Sequence, residues 1–234
     1  MDELADSIAR ESLAVLGRLH PSRFVLLGGG ALRLFHGSPR ASADLDLHVQ
    51  PQPTVAQLRT LAAALEKGLG SLALKTGFPL AVRPAADALE VFAHGKVQVR
   101  LEFTAFARPR KVEKLLVRTG TPGFEVVLVP VLDELLFAKT QALVARGHPK
   151  GRDAFDIWYL LDRGANLDAE AFRDWLAWEK IDAAQVAARR DEFNPRRLAA
   201  DLDRYLPDGL RRSLSETGYA PLKAALAKVL EPFV

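Results

Sequence analysis

Asp44 and Asp46 flank a single leucine in the stretch Ala43-Asp44-Leu45-Asp46-Leu47, shortly after Gly28-Gly29-Gly30. On an extended strand, residues two apart face the same side, so both carboxylates project together while Leu45 and Leu47 turn into a core. Like charges this close are tolerated when solvated, when neutralised by a base, or when bridged by a divalent cation, and Mg²⁺ favours one or two carboxylates together with phosphate oxygens. Glu102, on the polar face of Val97-Gln98-Val99-Arg100-Leu101-Glu102-Phe103, adds a third carboxylate if the two strands are neighbours. Three carboxylates on one sheet face suit two-metal phosphoryl or nucleotidyl transfer, where the ions activate a hydroxyl and stabilise a pyrophosphate leaving group. The glycines, free of Cβ atoms, can bring backbone N–H groups close to phosphates at the start of a helix.

A second polar cluster lies further on. Lys139 and Arg146 are seven residues apart and are expected to stack on one helix face, while Asp153 and Asp156 share a face of the next helix, which opens at Arg152. His148 and Lys150 stand in the loop between them. Two readings are open: helix caps and exposed ion pairs favoured by the helix dipole, or cations that reach a triphosphate, with Asp153 orienting Lys139 or taking a proton from an acceptor hydroxyl. A third feature is basic: Arg108, Arg110, Lys111, Lys114 and Arg118 stand against Glu113 alone, either as solvated surface or as an edge suited to an RNA backbone. Trp158, Trp175 and Trp178 occupy apolar helical positions and read as core. The five histidines show no metal-ligand spacing and read as non-catalytic. An Asp-x-Asp or a glycine run is by itself an ordinary strand end or turn; the ordered succession of turn, helix and strand is what gives these two weight. A Walker-type P-loop is absent, and the glycine spacing fails the dinucleotide-binding fingerprint.

These residues need elements to hold them. The pattern predicts a helix over 3–19, a strand in Arg23-Phe24-Val25-Leu26-Leu27-Gly28, a short helix from Ala31 to His36, a strand from Asp44 to Val49, and a helix from Thr54 to Leu69 with Leu58, Leu61 and Leu65 on one face. The alternation in 97–103 puts Val97, Val99, Leu101 and Phe103 on the buried side, and residues 88–93 form a hairpin with it through His94-Gly95. From Val131 onward the chain reads as successive helices. The expected architecture is a mixed α/β (α+β) sheet flanked by helices in residues 1–130, followed by a C-terminal helical lobe over 131–234.

Composition sets the outer limits. The chain has 234 residues, 49% of them hydrophobic, and a net charge of +3; this is an ordinary packed protein, too mildly basic to signal nucleic acid by charge alone. It contains no cysteine, which excludes a disulfide framework and a thiolate zinc site. Acidic residues stand where a signal peptide carries bases, and the longest strongly apolar run, 126–132, is too short for a bilayer, so a cytoplasmic protein is expected.

The ordered set Gly28-Gly29-x-Ala31-Leu32, Arg40-x-Ser42-x-Asp44-Leu45-Asp46-Leu47, Lys139 with Arg146, and Arg152-Asp153-x-x-Asp156 resembles the AbiEii/AbiGii-type nucleotidyltransferase toxins of type IV toxin–antitoxin systems, within the DNA polymerase β-like superfamily. The resemblance runs from the first glycines to the end of the helix bearing Asp156. It implies a nucleotidyltransferase-like mixed sheet flanked by helices in residues 1–130, with the helical lobe over 131–234 closing the active-site cleft, Mg²⁺ dependence, and transfer of a nucleoside monophosphate from an NTP to an RNA acceptor, the 3′ end of tRNA, with a cognate antitoxin as partner. Carried over by position, it makes Asp44 and Asp46 the metal-binding pair, with Glu102 as a weaker third, and Lys139 and Asp153 catalytic. Gly28, Gly29, Gly30, Arg40, Ser42, Lys139 and Arg146 fall to the nucleotide. Gly30 stands where the superfamily has Ser or Thr, which is expected to remove a hydroxyl from the phosphate site. The competing functions are transfer to a small molecule or a protein hydroxyl, and a catalytically silent RNA- or protein-binding module.

Overall fold

The computed structural model describes residues 3–77, 79–105, 109, 111–118 and 124–234. The chain divides into two compact units, Met1–Pro130 and Val131–Val234. The first unit runs α1 (Glu3–Leu19), β1 (Val25–Leu27), α2 (Gly28–His36), β2 (Asp44–His48), α3 (Val55–Gly68), α4 (Gly70–Thr76), β3 (Ala81–Ala85), β4 (Ala88–Ala93), β5 (Lys96–Thr104), β6 (Val112–Arg118) and β7 (Phe124–Pro130). Among the described residues the strands form one seven-stranded mixed sheet in the order β3-β4-β5-β2-β1-β7-β6.

Alternation along the central strands divides the sheet into an apolar and a polar face. Leu45, Leu47, Val99, Leu101 and Phe103 are each at most 1% exposed. They turn toward α1 and α3, which bury Ile8, Leu13 and Leu16 and Leu58, Leu61 and Leu65. The two helices meet closely at Gly68, where a Cβ would lie 2.4 Å from Val15 Cγ2. Thr54 and Gln57 cap α3 reciprocally, fixing where the helix starts. The opposite face of β2 and β5 carries Asp44, Asp46, Arg100 and Glu102.

Several expectations need correction. The helix expected at Ala31 begins at Gly28, so the glycines form its first turn. The strand expected over 23–28 is only Val25–Leu27. Val97 is 47% exposed although its alternation matches Val99; it pairs with Phe92 beyond a register shift at Val91/Phe92, near the hairpin end. Part of the basic run is edge strand β6, with Lys111, Lys114 and Arg118 exposed, as suits an edge that must resist pairing with other chains. Arg108 and Arg110 lie outside the described residues.

The second unit comprises α5 (Leu132–Ala145), α6 (Gly151–Asp162), α7 (Ala169–Glu179), α8 (Ala183–Asp191), α9 (Pro195–Leu202), α10 (Asp208–Glu216) and α11 (Ala220–Leu230). Asp168, Asp182 and Asn194 each accept a backbone N–H at the start of α7, α8 and α9, in agreement with side-chain oxygens serving as N-caps. Phe172 is fully buried at the centre, with Phe233, Trp175 and Phe137 rings 4.9, 5.2 and 5.7 Å away. The tryptophans are not the core residues expected from their spacing: Trp178 is 77% exposed and Trp158 and Trp175 are half-buried. Their smaller neighbours Phe155 and Phe172 take the interior instead. No helix among the described residues is long and apolar enough to cross a membrane. Phe172→Ala, by opening a cavity in this aromatic cluster, is expected to cost about 3–5 kcal/mol, read as a lower midpoint in urea unfolding.

Candidate functional site

In the first unit the polar site is built where β1, α2 and β2 meet. β2 runs antiparallel to β1 and parallel to β5, so Leu27, Asp46 and Glu102 stand side by side, and Asp44 stands beside Arg100. Leu27 ends β1, and the chain turns at once into α2 through Gly28, whose φ is +65°. A Cβ on Gly28 would lie 2.2 Å from Asp46 Oδ2, so both the backbone angle and the carboxylate require glycine here. A Cβ on Gly29 would lie 2.6 Å from Arg40 Nη2 and 2.8 Å from Ser42 Oγ. Arg40 is buried and donates to the Ala41 carbonyl at 3.0 Å. The motif residues Arg40 and Ser42 thus lie against the first turn of α2. That turn carries no acidic residue and no side-chain cap, and the N–H groups of a first turn have no partner within the helix.

Gly30 proves to have a packing role. A Cβ there would lie 3.0 Å from both the Asp44 carbonyl oxygen and Leu45 Cδ2. A serine at this position would press its side chain against β2, which must give by a few tenths of an ångström to admit it.

The register extends the charged face sideways. Arg83, Glu90, Arg100 and Asp44 occupy one row across β3, β4, β5 and β2, with alternating sign. Arg100 Nη1 is 3.6 Å from Glu90, and its Nε is 3.0 Å from Glu102 Oε1. Burial, then the Asp46 charge, pushes the Glu102 carboxyl above its ordinary range; Arg100 opposes this, and Asp44 and Asp87 add to it. Asp87 and the Arg83–Glu90–Arg100 row were not singled out in the sequence, because they become neighbours of the aspartates only through strand order. His48 follows Asp46 on the same face of β2 and is 3% exposed.

Among the described residues, no group of three or more His, Asp or Glu side chains is arranged to hold a metal ion. Asp44 and Asp46 nonetheless fit Mg²⁺ as a donor pair: they are hard oxygen ligands on one strand face, next to a helix N-terminus that suits phosphate. Glu102 is turned onto Arg100.

In the second unit Lys139 and Arg146 do not stack on one helix face. α5 ends at Ala145, and Arg146 follows in an extended conformation, φ −69° and ψ 135°. Both cations converge on α6. Lys139 Nζ is 3.3 Å from Asp153 Oδ1 and 2.8 Å from Asp156 Oδ2, and Arg146 Nη1 is 2.5 Å from Asp153 Oδ2. Asp153 and Asp156 are essentially inaccessible, with side chains 1% and 0% exposed, whereas the Arg146 side chain is 44% exposed. The surface ion pairs considered above are therefore wrong in one respect: the carboxylates are buried. Each oxygen of Asp153 already faces a cation, an arrangement that holds Lys139 and Arg146 in place. Removing one partner from such a group strands a buried charge.

A family model described as "Nucleotidyl transferase AbiEii toxin, Type IV TA system" matches residues 15–231. The chain belongs to this family of nucleotidyltransferase toxins. Comparison with curated protein sequences gives no match. Among solved structures, JHP933 from Helicobacter pylori is similar at 17% identity and a TM-score of 0.53, over 100% of this chain and 94% of that one. A second H. pylori protein, proposed to be a nucleotidyltransferase, is also 17% identical with a TM-score of 0.52, over 100% and 99% of the two chains. At that identity the likeness is one of fold. The AbiEii assignment makes the protein a nucleotidyltransferase, in keeping with the mixed sheet described above.

Two substitutions probe this AbiEii-type site. Gly30→Ser is expected to lower stability by about 1–3 kcal/mol through overpacking against β2, without strengthening NTP binding, as read by thermal melts and nucleotide titration. Glu102→Gln is expected to raise the melting temperature at pH 7. The folded state holds the Glu102 proton more tightly than the unfolded chain, so wild type suffers no penalty below the ordinary value of 4.5, and the full penalty appears once pH passes the raised value. The gain in the variant therefore grows from acid to neutral pH.

Proposed function

We propose that this nucleotidyltransferase moves a nucleoside monophosphate from an NTP to the 3′ end of tRNA in the cytoplasm, acting as a toxin whose partner is a cognate antitoxin. The reading is carried by the Asp44–Asp46 pair pressed against the uncapped, glycine-built N-terminus of α2. Asp44 and Asp46 would hold Mg²⁺, and Glu102 would join them only by leaving its pair with Arg100. Bound there, the ion supplies charge neutralisation at the phosphates and lowers the pKa of the attacking hydroxyl.

The remaining steps fall to the chain itself. Backbone N–H groups of the first turn of α2 bind phosphate oxygens, with the helix dipole favouring negative charge. Ser42 and Arg40 hold that turn against β2. Lys139 and Arg146 supply fixed cations to the triphosphate as charge shifts toward pyrophosphate. Asp153 and Asp156 orient Lys139, and Asp153 also holds Arg146. The acceptor hydroxyl attacks the α-phosphorus and gives up its proton to solvent water, the bond to the pyrophosphate oxygen breaks, and pyrophosphate leaves. A preference for RNA over a small molecule or protein hydroxyl is supported by the exposed cations Lys114 and Arg118 of β6.

The purified protein is to be incubated with each labelled NTP, Mg²⁺ and total tRNA. The expected outcome is a labelled tRNA 3′ end with one preferred NTP, loss of label in EDTA, and loss of label in Asp46→Asn. Equal labelling by Asp46→Asn and wild type excludes the mechanism; label in a polypeptide or a small molecule moves the acceptor to that class.

A further inference from the structure

We infer that Asp201 and Arg197 of α9 are positioning residues for nucleotide binding, acting on Lys139 and Arg146 through the backbone of the loop between α5 and α6. This rests on the reading that those two cations face the triphosphate. Arg197 and Asp201 are four residues apart and so share one face of α9.

Asp201 Oδ2 accepts a hydrogen bond from the Gly151 backbone N–H at 2.7 Å. Gly151 is the first residue of α6, and Lys150 at its N-cap provides no side-chain cap. An N–H left without a helical partner is thus satisfied by a carboxylate brought in from α9. The fit is close: a Cβ on Gly151 would lie 2.8 Å from Asp201 Cβ. Arg197 Nη2 donates to the Pro149 carbonyl at 2.6 Å, two residues earlier in the same loop. Its Nη1 is 2.6 Å from Glu192, which Arg189 also grips. Burial pushes the Glu192 carboxyl up, but hydrogen bonds from Arg189 and Arg197 outweigh this and hold it below its ordinary value.

The loop is therefore held at two backbone points between Arg146 and Asp153. Asp153 lies two residues into α6 from Gly151 and faces both cations, so the start of α6 fixes where the charges of Lys139 and Arg146 stand. Nothing in the sequence marks α9 for this role, because its partners are backbone atoms about fifty residues away.

The experiment compares Asp201→Ala, Gly151→Ala, Asp201→Asn and Leu198→Ala with wild type, well below their melting temperatures, using the NTP that wild type incorporates. Asp201→Ala is expected to raise KM for the NTP roughly five- to tenfold with a smaller change in kcat, the size of one lost hydrogen bond. Gly151→Ala, which displaces the same carboxylate by bulk, should match it. Asp201→Asn keeps an acceptor oxygen and should retain the wild-type KM. Hydrogen exchange should accelerate over residues 147–152 in Asp201→Ala. Leu198, fully buried on α9, reports stability alone, so Leu198→Ala should melt earlier with KM unchanged. An unaltered KM or unaltered exchange in Asp201→Ala overturns the inference, as does an equal rise of KM in Leu198→Ala. If Lys139→Met leaves KM unchanged, the underlying reading of the cations fails, and this inference with it.

Discussion

The first unit depends on one close approach: the first turn of α2 lies directly on β2. The three glycines permit it in different ways. Gly28 turns the chain at positive φ beside the Asp46 carboxylate, Gly29 makes room for Arg40 and Ser42, and Gly30 lets the helix touch the strand backbone. A side chain at Gly28 would meet the Asp46 carboxylate, one at Gly29 the ends of Arg40 and Ser42, and one at Gly30 the backbone of β2. The constraint is steric before it is chemical, and the chemistry uses the space it leaves.

The two units handle charge in opposite ways. In the first, Asp44, Asp46, Glu102 and Asp87 collect with Arg100 as the cation seen beside Glu102, and the Glu102 carboxyl is pushed up first by burial and then by the Asp46 charge. A surplus of negative charge is what an incoming cation can relieve. In the second, Asp153 and Asp156 are buried but matched by Lys139 and Arg146. That matched set is closed where the first is receptive: each buried carboxylate already has a cation within 3.3 Å.

Much of this was legible in the sequence because it follows from local periodicity. Alternation over 97–103 located β5 and its faces, the spacing of Leu58, Leu61 and Leu65 located α3, and Asp44-Leu45-Asp46 already implied two carboxylates on one side. What local pattern could not supply is what depends on approach and order. At Gly30 the residue type implies a missing hydroxyl, while the closeness of its Cβ position to β2 shows only in the fold. A seven-residue spacing puts Arg146 on the helix face of Lys139 only if the helix continues, whereas α5 stops one residue short of it. The exposure of Trp178 and Val97 has the same origin: periodicity assigns a face, while burial depends on what covers that face.

Strand order decides the rest. Glu102 reaches Asp46 only because β5 lies parallel to β2, a pairing between strands about fifty residues apart that no local signal fixes. The same pairing puts Arg100 opposite Asp44 and brings the β3–β5 hairpins, with Glu90 and Arg83, onto one charged row. A one-residue slip of β5 would turn Arg100 and Glu102 into the core and bring Leu101 to the polar face. Val99, Leu101 and Phe103, all buried on the opposite side, prevent that slip. The apolar core under the sheet therefore sets the register of the charged residues above it, and the position of Glu102 beside the aspartates follows from hydrophobic packing.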